Sequence, residues 1–321
     1  MKIERLPAAA WSRREVWVRK LLYPGHTLPT AAAPVLVAMG LAIHNDTLAV
    51  GPALLALLAG WLVQLGGVLT DNYENLVQQP EDREHPELVQ ALALGTLTLA
   101  GLKRAIYACY GVALLAGAWL AFIAGPFVVV IGLLSIAASW MYSAGPVPVG
   151  RLGLADPLFF LFFGIVSVAG SYYVQAAPAF EAVPGDWLVP QALPPLALVL
   201  GLPIGALTTN ILIIDDIRDR KFDAVKGKAT VAVRFGIGWS RAEFVALLAF
   251  AYLVPVELWL ASDFGDAILL PLLTLPVAIH LASDVLKLDR HEDLIPVTPK
   301  AGRLLVTYAV LLAAGITLPA G

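Results

Sequence analysis

The chain has 321 residues, of which 59% are hydrophobic and 14% charged, with a formal net charge of −3. A mean hydropathy of +0.78 is too apolar for an ordinary soluble domain, and the near-neutral balance leaves no basic surplus for a nucleic-acid partner. The single cysteine, Cys109, excludes an internal disulfide and a cysteine-based metal site, and it reads as a small packing residue in an apolar helix.

In chain order, the N-terminal stretch carries acidic Glu4 and Glu15 and lacks a compact apolar run followed by a small-residue cleavage site. It is therefore not expected to be a cleavable signal peptide. Trp11 and Trp17 among basic residues instead predict an amphipathic segment over residues 1–27, lying at the cytoplasmic interface. Uncharged apolar runs then recur at Thr30–Ile43, Leu48–Leu69, Ala105–Ala124, Phe127–Tyr142, Leu158–Gln175, Leu193–Ile214, Glu243–Leu260, Ile268–Leu286 and Leu304–Leu318. They predict an all-α polytopic protein of about nine transmembrane helices. The β-alternation of an outer-membrane barrel is not seen.

Charge placement supports that count. With nine spans, all 21 Lys and Arg residues fall on one side, while the opposite loops hold Asp46, Glu181, Asp186, Asp263 and Asp266 without a cation. A wrong count would scramble this segregation. The positive-inside rule makes the basic side cytoplasmic, which predicts a multi-pass inner (cell) membrane protein with a cytoplasmic N-terminus. No long polar stretch separates the spans, so residues 1–321 are expected to form one domain.

Two long cytoplasmic connections carry chemistry. The first follows the second span, where Asp71, Asn75 and Gln79 fall at i, i+4 and i+8 with Asn72 beside them. Their oxygens are hard donors suited to Mg²⁺, but only Asp71 in the stripe is charged. Glu74, Glu81, Asp82 and Glu84 add negative charge nearby. This segment alone reads equally well as a polar membrane boundary. The second connection follows the sixth span. It places Asp216, Asp219 and Asp223 at i, i+3 and i+7 on one helix face, among Lys221, Lys226, Lys228 and Arg234. Carboxylates in register beside clustered cations are what a Mg²⁺-diphosphate group needs.

Between the fourth and fifth spans, Tyr142–Asp156 is rich in Gly and Pro, with Arg151 as its one cation. Arg151 fits a diphosphate contact or a simple positive-inside marker, and Tyr142 fits a ring stacked on an allylic cation or an aromatic belt. The histidines His26, His44, His85, His280 and His291 lack metal-ligand spacing, so no zinc site is expected.

Taken together, Tyr142-Ser143-Ala144-Gly145-Pro146-Val147-Pro148, Phe162-Phe163-Gly164, Arg218-Asp219 to Asp223, and Gly227-Lys228-Ala229-Thr230-Val231-Ala232-Val233-Arg234-Phe235-Gly236 give a sequence that resembles the UbiA superfamily of intramembrane prenyltransferases. The branch it is most similar to is the menaquinone-type, acting on 1,4-dihydroxy-2-naphthoate. That resemblance implies nine helices around a central cavity under cytoplasmic cap loops, and two Asp-rich motifs that hold a prenyl diphosphate through Mg²⁺. It assigns Asp71, Asn72, Asn75, Asp216, Asp219 and Asp223 to the metal, with Asp219, Asp223, Asp71 and Asn75 as the catalytic set. Lys228, Arg234, Arg151, Asn72 and Lys221 would hold the diphosphate, and Tyr142 and Tyr73 would line the prenyl and acceptor cavity. The implied reaction moves a polyprenyl group onto an aromatic acceptor. The family's usual first motif is Asn-Asp-x-x-Asp-x-x-x-Asp, where this chain has Asp71-Asn72-x-x-Asn75-x-x-x-Gln79. Amides thus replace expected carboxylates, and a terpene cyclase on the same diphosphate or a non-catalytic relative are the alternatives. A transporter would place charge within the spans, which are nearly charge-free.

Overall fold

The computed structural model describes residues 12–22, 27–78, 86–145, 148–180, 187–261 and 264–318. Residues before Ser12, together with Arg83, Gln79, Glu81, Asp82, Glu84, Pro146, Val147, Glu181, Asp186 and Asp263, lie outside them. All regular structure among the described residues is helical, as an apolar chain in lipid requires, because helices satisfy their own backbone groups. The nine principal helices are α1 (Thr27–His44), α2 (Val50–Gln78), α3 (Leu99–Ala124), α4 (Phe127–Ser143), α5 (Ala155–Phe180), α6 (Pro195–Lys226), α7 (Ile237–Ala261), α8 (Asp266–Lys287) and α9 (Val297–Thr317).

Eight of these are long and apolar enough to cross a membrane. The remaining one, α4, has the composition but only 17 residues, about 26 Å of helix against a hydrocarbon layer of about 30 Å. The first predicted span, short by sequence, is extended at both ends in α1, and Gly40 of α1 packs directly on Ala313 of α9.

Helix α6 is the axis of the larger core. It packs against α5, α7, α9 and α1, and most of its length from Leu200 to Ile217 is buried. Its closest approach is to α5, where a Cβ built on Gly164 would sit 2.5 Å from Gly205 Cα and 2.6 Å from the Gly201 carbonyl. A Gly-x-x-x-Gly pair facing a third glycine lets two membrane helices touch backbone to backbone, where lipid offers no hydrophobic drive for association.

Helices α2 and α3 form a second, smaller core with the N-terminal segment. There Val16, Leu21, Leu65, Leu69, Leu76, Leu88 and Leu102 are buried together. The Arg13–Glu15 turn is held by a capping box on Ser12, and the following Val16–Leu22 stretch docks on α2 and on the short helix Pro86–Ala93. The predicted interfacial segment is thus packed against protein over its described part.

Candidate active site

Helices α2 and α6 both run past the apolar stretches predicted from sequence, to Gln78 and Lys226. Because each continues unbroken, its polar side chains keep helical register. Asp216, Asp219 and Asp223 are 7%, 6% and 3% exposed. Such burial is rare for carboxylates unless they are partnered, and it marks a constructed site.

Helix α6 stops at Gly227, whose φ of 71° is left-handed. The chain then doubles back, and the Lys228 amide donates to the Asp223 carbonyl at 3.0 Å, a reversal that glycine permits without steric cost. The reversal swings the Lys228 side chain over the cleft. Its Nζ lies 3.6 Å from Asp223 Oδ1 and 3.8 Å from Asp71 Oδ1. One ammonium therefore joins the carboxylate of α2 to that of α6.

Around this bridge, a cleft is lined by Asp71, Glu74, Asn75 and Gln78 of α2, Tyr142 and Ser143 at the end of α4, Pro148, Gly150 and Arg151 of the connecting turn, and Lys226 and Lys228. Ser143 Oγ donates to Asp71 Oδ1 at 2.6 Å and Asn75 Nδ2 donates to Asp71 Oδ2 at 3.1 Å. Both oxygens of Asp71 are thereby aimed. Asn75 in place of a carboxylate turns an i, i+4 repulsion into a hydrogen bond. Arg151 donates to Gln78 Oε1. Tyr142 lines the cleft in the field of Asp216, Lys228, Asp71 and Asp223. Its ring begins a series with Phe159 and Phe163, at centroid spacings of 5.7 and 4.8 Å.

Not every residue singled out from sequence reaches this cleft. Asn72 donates to the Val68 carbonyl of its own helix at 2.9 Å, one turn back. Tyr73 packs against the smaller core and is not among the residues lining the cleft, because a residue two positions from Asp71 points to another face of α2. Lys221 is exposed outside the cleft lining. Arg234 is also exposed and lies over Gly153, whose Cβ would meet the Ala229 carbonyl at 2.6 Å and Arg234 Nη1 at 3.3 Å. Asp219 is turned to a different set of partners. Arg218 grips it with Nε at 2.9 Å and Nη2 at 2.5 Å, and also reaches Asp215.

Other residues of the site carried no assignment in the sequence. Ser143 and Gln78 were legible only as loop or boundary residues. Buried Asp156 lies in the field of Asp216 and Glu243 with its Oδ1 unpartnered. His291, set aside for lack of metal spacing, lies beside Asp219. Its distance from Asp219 in sequence hid it.

The donor set fits Mg²⁺. Among the described residues no group of three or more His, Cys, Asp or Glu side chains is placed to hold a metal ion by itself. Mg²⁺ does not require one, since it keeps water and substrate phosphate oxygens as most of its ligands and takes one or two carboxylates from protein. Asp71 and Asp223, all-oxygen donors facing each other across Lys228, meet that requirement.

Residues 31–298 match the UbiA prenyltransferase family. The chain belongs to this family of prenyltransferases. Among its relatives, the 1,4-dihydroxy-2-naphthoate octaprenyltransferase of Mycobacterium tuberculosis is 30% identical over 295 residues, covering 90% of this chain and 93% of that protein. Among solved structures, the apo UbiA homolog from Aeropyrum pernix K1 shares the fold with a TM-score of 0.66 at 18% identity, covering 92% of this chain and 98% of that one. The UbiA homolog from Archaeoglobus fulgidus bound to GPP and Mg²⁺ superposes with a TM-score of 0.58 at 14% identity, covering 94% and 99%. The protein is thus a multi-span membrane member of the UbiA family.

Proposed function

We propose that this chain is a Mg²⁺-dependent prenyltransferase that moves a polyprenyl group from its diphosphate to an aromatic acceptor of the 1,4-dihydroxy-2-naphthoate class, as in menaquinone biosynthesis. The observation that carries the reading is the Asp71–Lys228–Asp223 bridge, which sets oxygen donors and a cation around one cleft at a membrane face. The relative's name supports the acceptor class, and the GPP- and Mg²⁺-bound neighbour supports the donor and the metal. The chain would act as one domain in the inner membrane with the cleft cytoplasmic, because the Lys- and Arg-rich ends gather there.

In this reading Asp71, Asn75, Asp216, Asp219 and Asp223 would hold Mg²⁺, whose charge would offset that of the diphosphate leaving group. Lys228, Lys226 and Arg151 take the diphosphate oxygens. Tyr142, Phe159 and Phe163 offer π faces to the allylic cation, and the apolar helices beneath exclude water. Breaking the C–O bond yields the allylic cation and pyrophosphate, a carbon of the electron-rich ring attacks the cation to form the new C–C bond, and the ring proton passes to the pyrophosphate.

The test is product analysis of membranes containing the chain, given geranylgeranyl diphosphate with and without 1,4-dihydroxy-2-naphthoate. A prenylated naphthoquinone precursor that requires the acceptor is expected. Cyclic hydrocarbon formed without acceptor would instead establish a terpene cyclase, and no turnover in either case a non-catalytic relative.

A further inference from the structure

The connection between α8 and α9 and the first turn of α9 lie far in sequence from both Asp-rich segments, yet they touch the second of them at two points. At the first, His291 Nδ1 lies 3.0 Å from Asp219 Oδ1. The imidazole is held edge-on by Phe222, with centroids 5.4 Å apart at 81°, and Asp219 and Phe222 are neighbours one turn apart on α6. At the second, Thr298 Oγ1 donates to Asp215 Oδ1 at 2.7 Å and receives Arg218 Nη1 at 3.3 Å. The short helix His291–Leu294 that carries the histidine packs on α6 itself. Nδ1 is buried and lies this close to Oδ1 without making a hydrogen bond.

We propose that the α8–α9 connection and the first turn of α9 form a positioning element for the metal site, with His291 orienting Asp219 through Nδ1 while Thr298 holds Asp215 and Arg218 in place behind it. Asp219 shares its carboxylate with Arg218. A carboxylate gripped by a guanidinium fork keeps a second lone pair on each oxygen for a metal, and it must hold its aim as the fork shifts to admit the ion. A neutral imidazole on Oδ1 supplies a partner that keeps the carboxylate aimed when the fork shifts, at no cost in net charge. Outer partners of this kind orient ligands, and their loss typically weakens metal binding about 10- to 100-fold. The inference rests on the reading of Asp219 as part of the Mg²⁺-diphosphate site.

The experiment uses the full chain in nanodiscs, with Mn²⁺ as an EPR-visible probe for Mg²⁺ and the unreactive geranylgeranyl thiolodiphosphate present. Wild type and Asp223→Ala first test the site. Loss of Mn²⁺ binding in Asp223→Ala is expected; unchanged binding would overturn the site reading and this inference with it. Against that control, His291→Ala and His291→Gln are expected to bind Mn²⁺ about 10-fold more weakly. His291→Asn, whose amide nitrogen occupies the place of Nδ1, is expected to bind within about 2-fold of wild type, and thermal unfolding should be alike in all. The inference is overturned if the three His291 variants bind Mn²⁺ as wild type does. It is equally overturned if Asn and Gln lose binding to the same extent, because the ring would then serve only to pack on Phe222. Should His291→Ala fail to fold, the comparison of Asn with Gln still decides.

Discussion

Lys228 has the most consequential position of any single side chain in the cleft, since its ammonium spans carboxylates from two helices 152 residues apart in numbering, Asp71 and Asp223. Removing it leaves two carboxylates facing each other without that bridge and takes a cation from the leaving group. Lys228→Met is expected to lower kcat for prenyl transfer by about 10²–10³, measured with labelled prenyl diphosphate at saturating acceptor. Ser143 acts at one remove. Its hydroxyl fixes Asp71 Oδ1 at 2.6 Å, so Ser143→Ala is expected to raise the Mg²⁺ concentration for half-maximal activity about 10-fold while leaving unfolding unchanged. A Mg²⁺ titration of the same assay checks this. At this scale the sequence was legible where periodicity speaks: the i, i+3, i+7 stripe does lie on one buried face of α6. It was not legible where direction around the helix depends on a neighbour, as with Tyr73 and Asn72.

The elements derive their precision from small residues. Gly227 ends α6 in the left-handed region with open space around its Cα, so the cost of a side chain there is conformational and not steric. Gly227→Ala is expected to destabilise by about 1 kcal/mol, and to impair activity beyond that because the turn it shapes delivers Lys228. Thermal unfolding beside activity separates the two effects. The Gly164–Gly205 contact is the opposite case, ordinary in backbone angle and closed in space. Gly205→Val, whose Cβ would meet the Phe160 carbonyl at 2.6 Å, is expected to cost about 1–3 kcal/mol or more by forcing α5 from α6, read as a lowered unfolding midpoint in detergent. In the sequence Gly227 was visible between two lysines, though not as the helix C-cap that its left-handed φ shows it to be. The α5–α6 contact was not, because glycines spaced by four say that a helix can be approached and not by what.

For the whole molecule, the cleft shows the ends of α2, α4 and α6 meeting, and charge placement in the sequence expects those ends on one, cation-rich side. Orientation in the membrane can be checked with thiol labelling. After Cys109→Ala removes the only native cysteine, an impermeant reagent is expected to label Lys221→Cys from the cytoplasmic face alone and Trp187→Cys from the opposite face alone. Both native residues are exposed. Labelling of both from one side would undo the topology.

What the sequence determined by itself is set by terms that are local or additive. Apolar run length specifies membrane helices, cation counts per loop specify their direction, and helical period gathers carboxylates on a face. What only the tertiary structure decided is pairing. Of the cations near the second stripe, Arg218 takes Asp219 while Lys228 takes Asp223 and reaches across to Asp71. A histidine some seventy positions downstream completes the surroundings of Asp219. Charges on one chain can pair in many ways, and the choice among them is made by which helix ends the packing of glycine faces and leucine cores brings within a few ångströms.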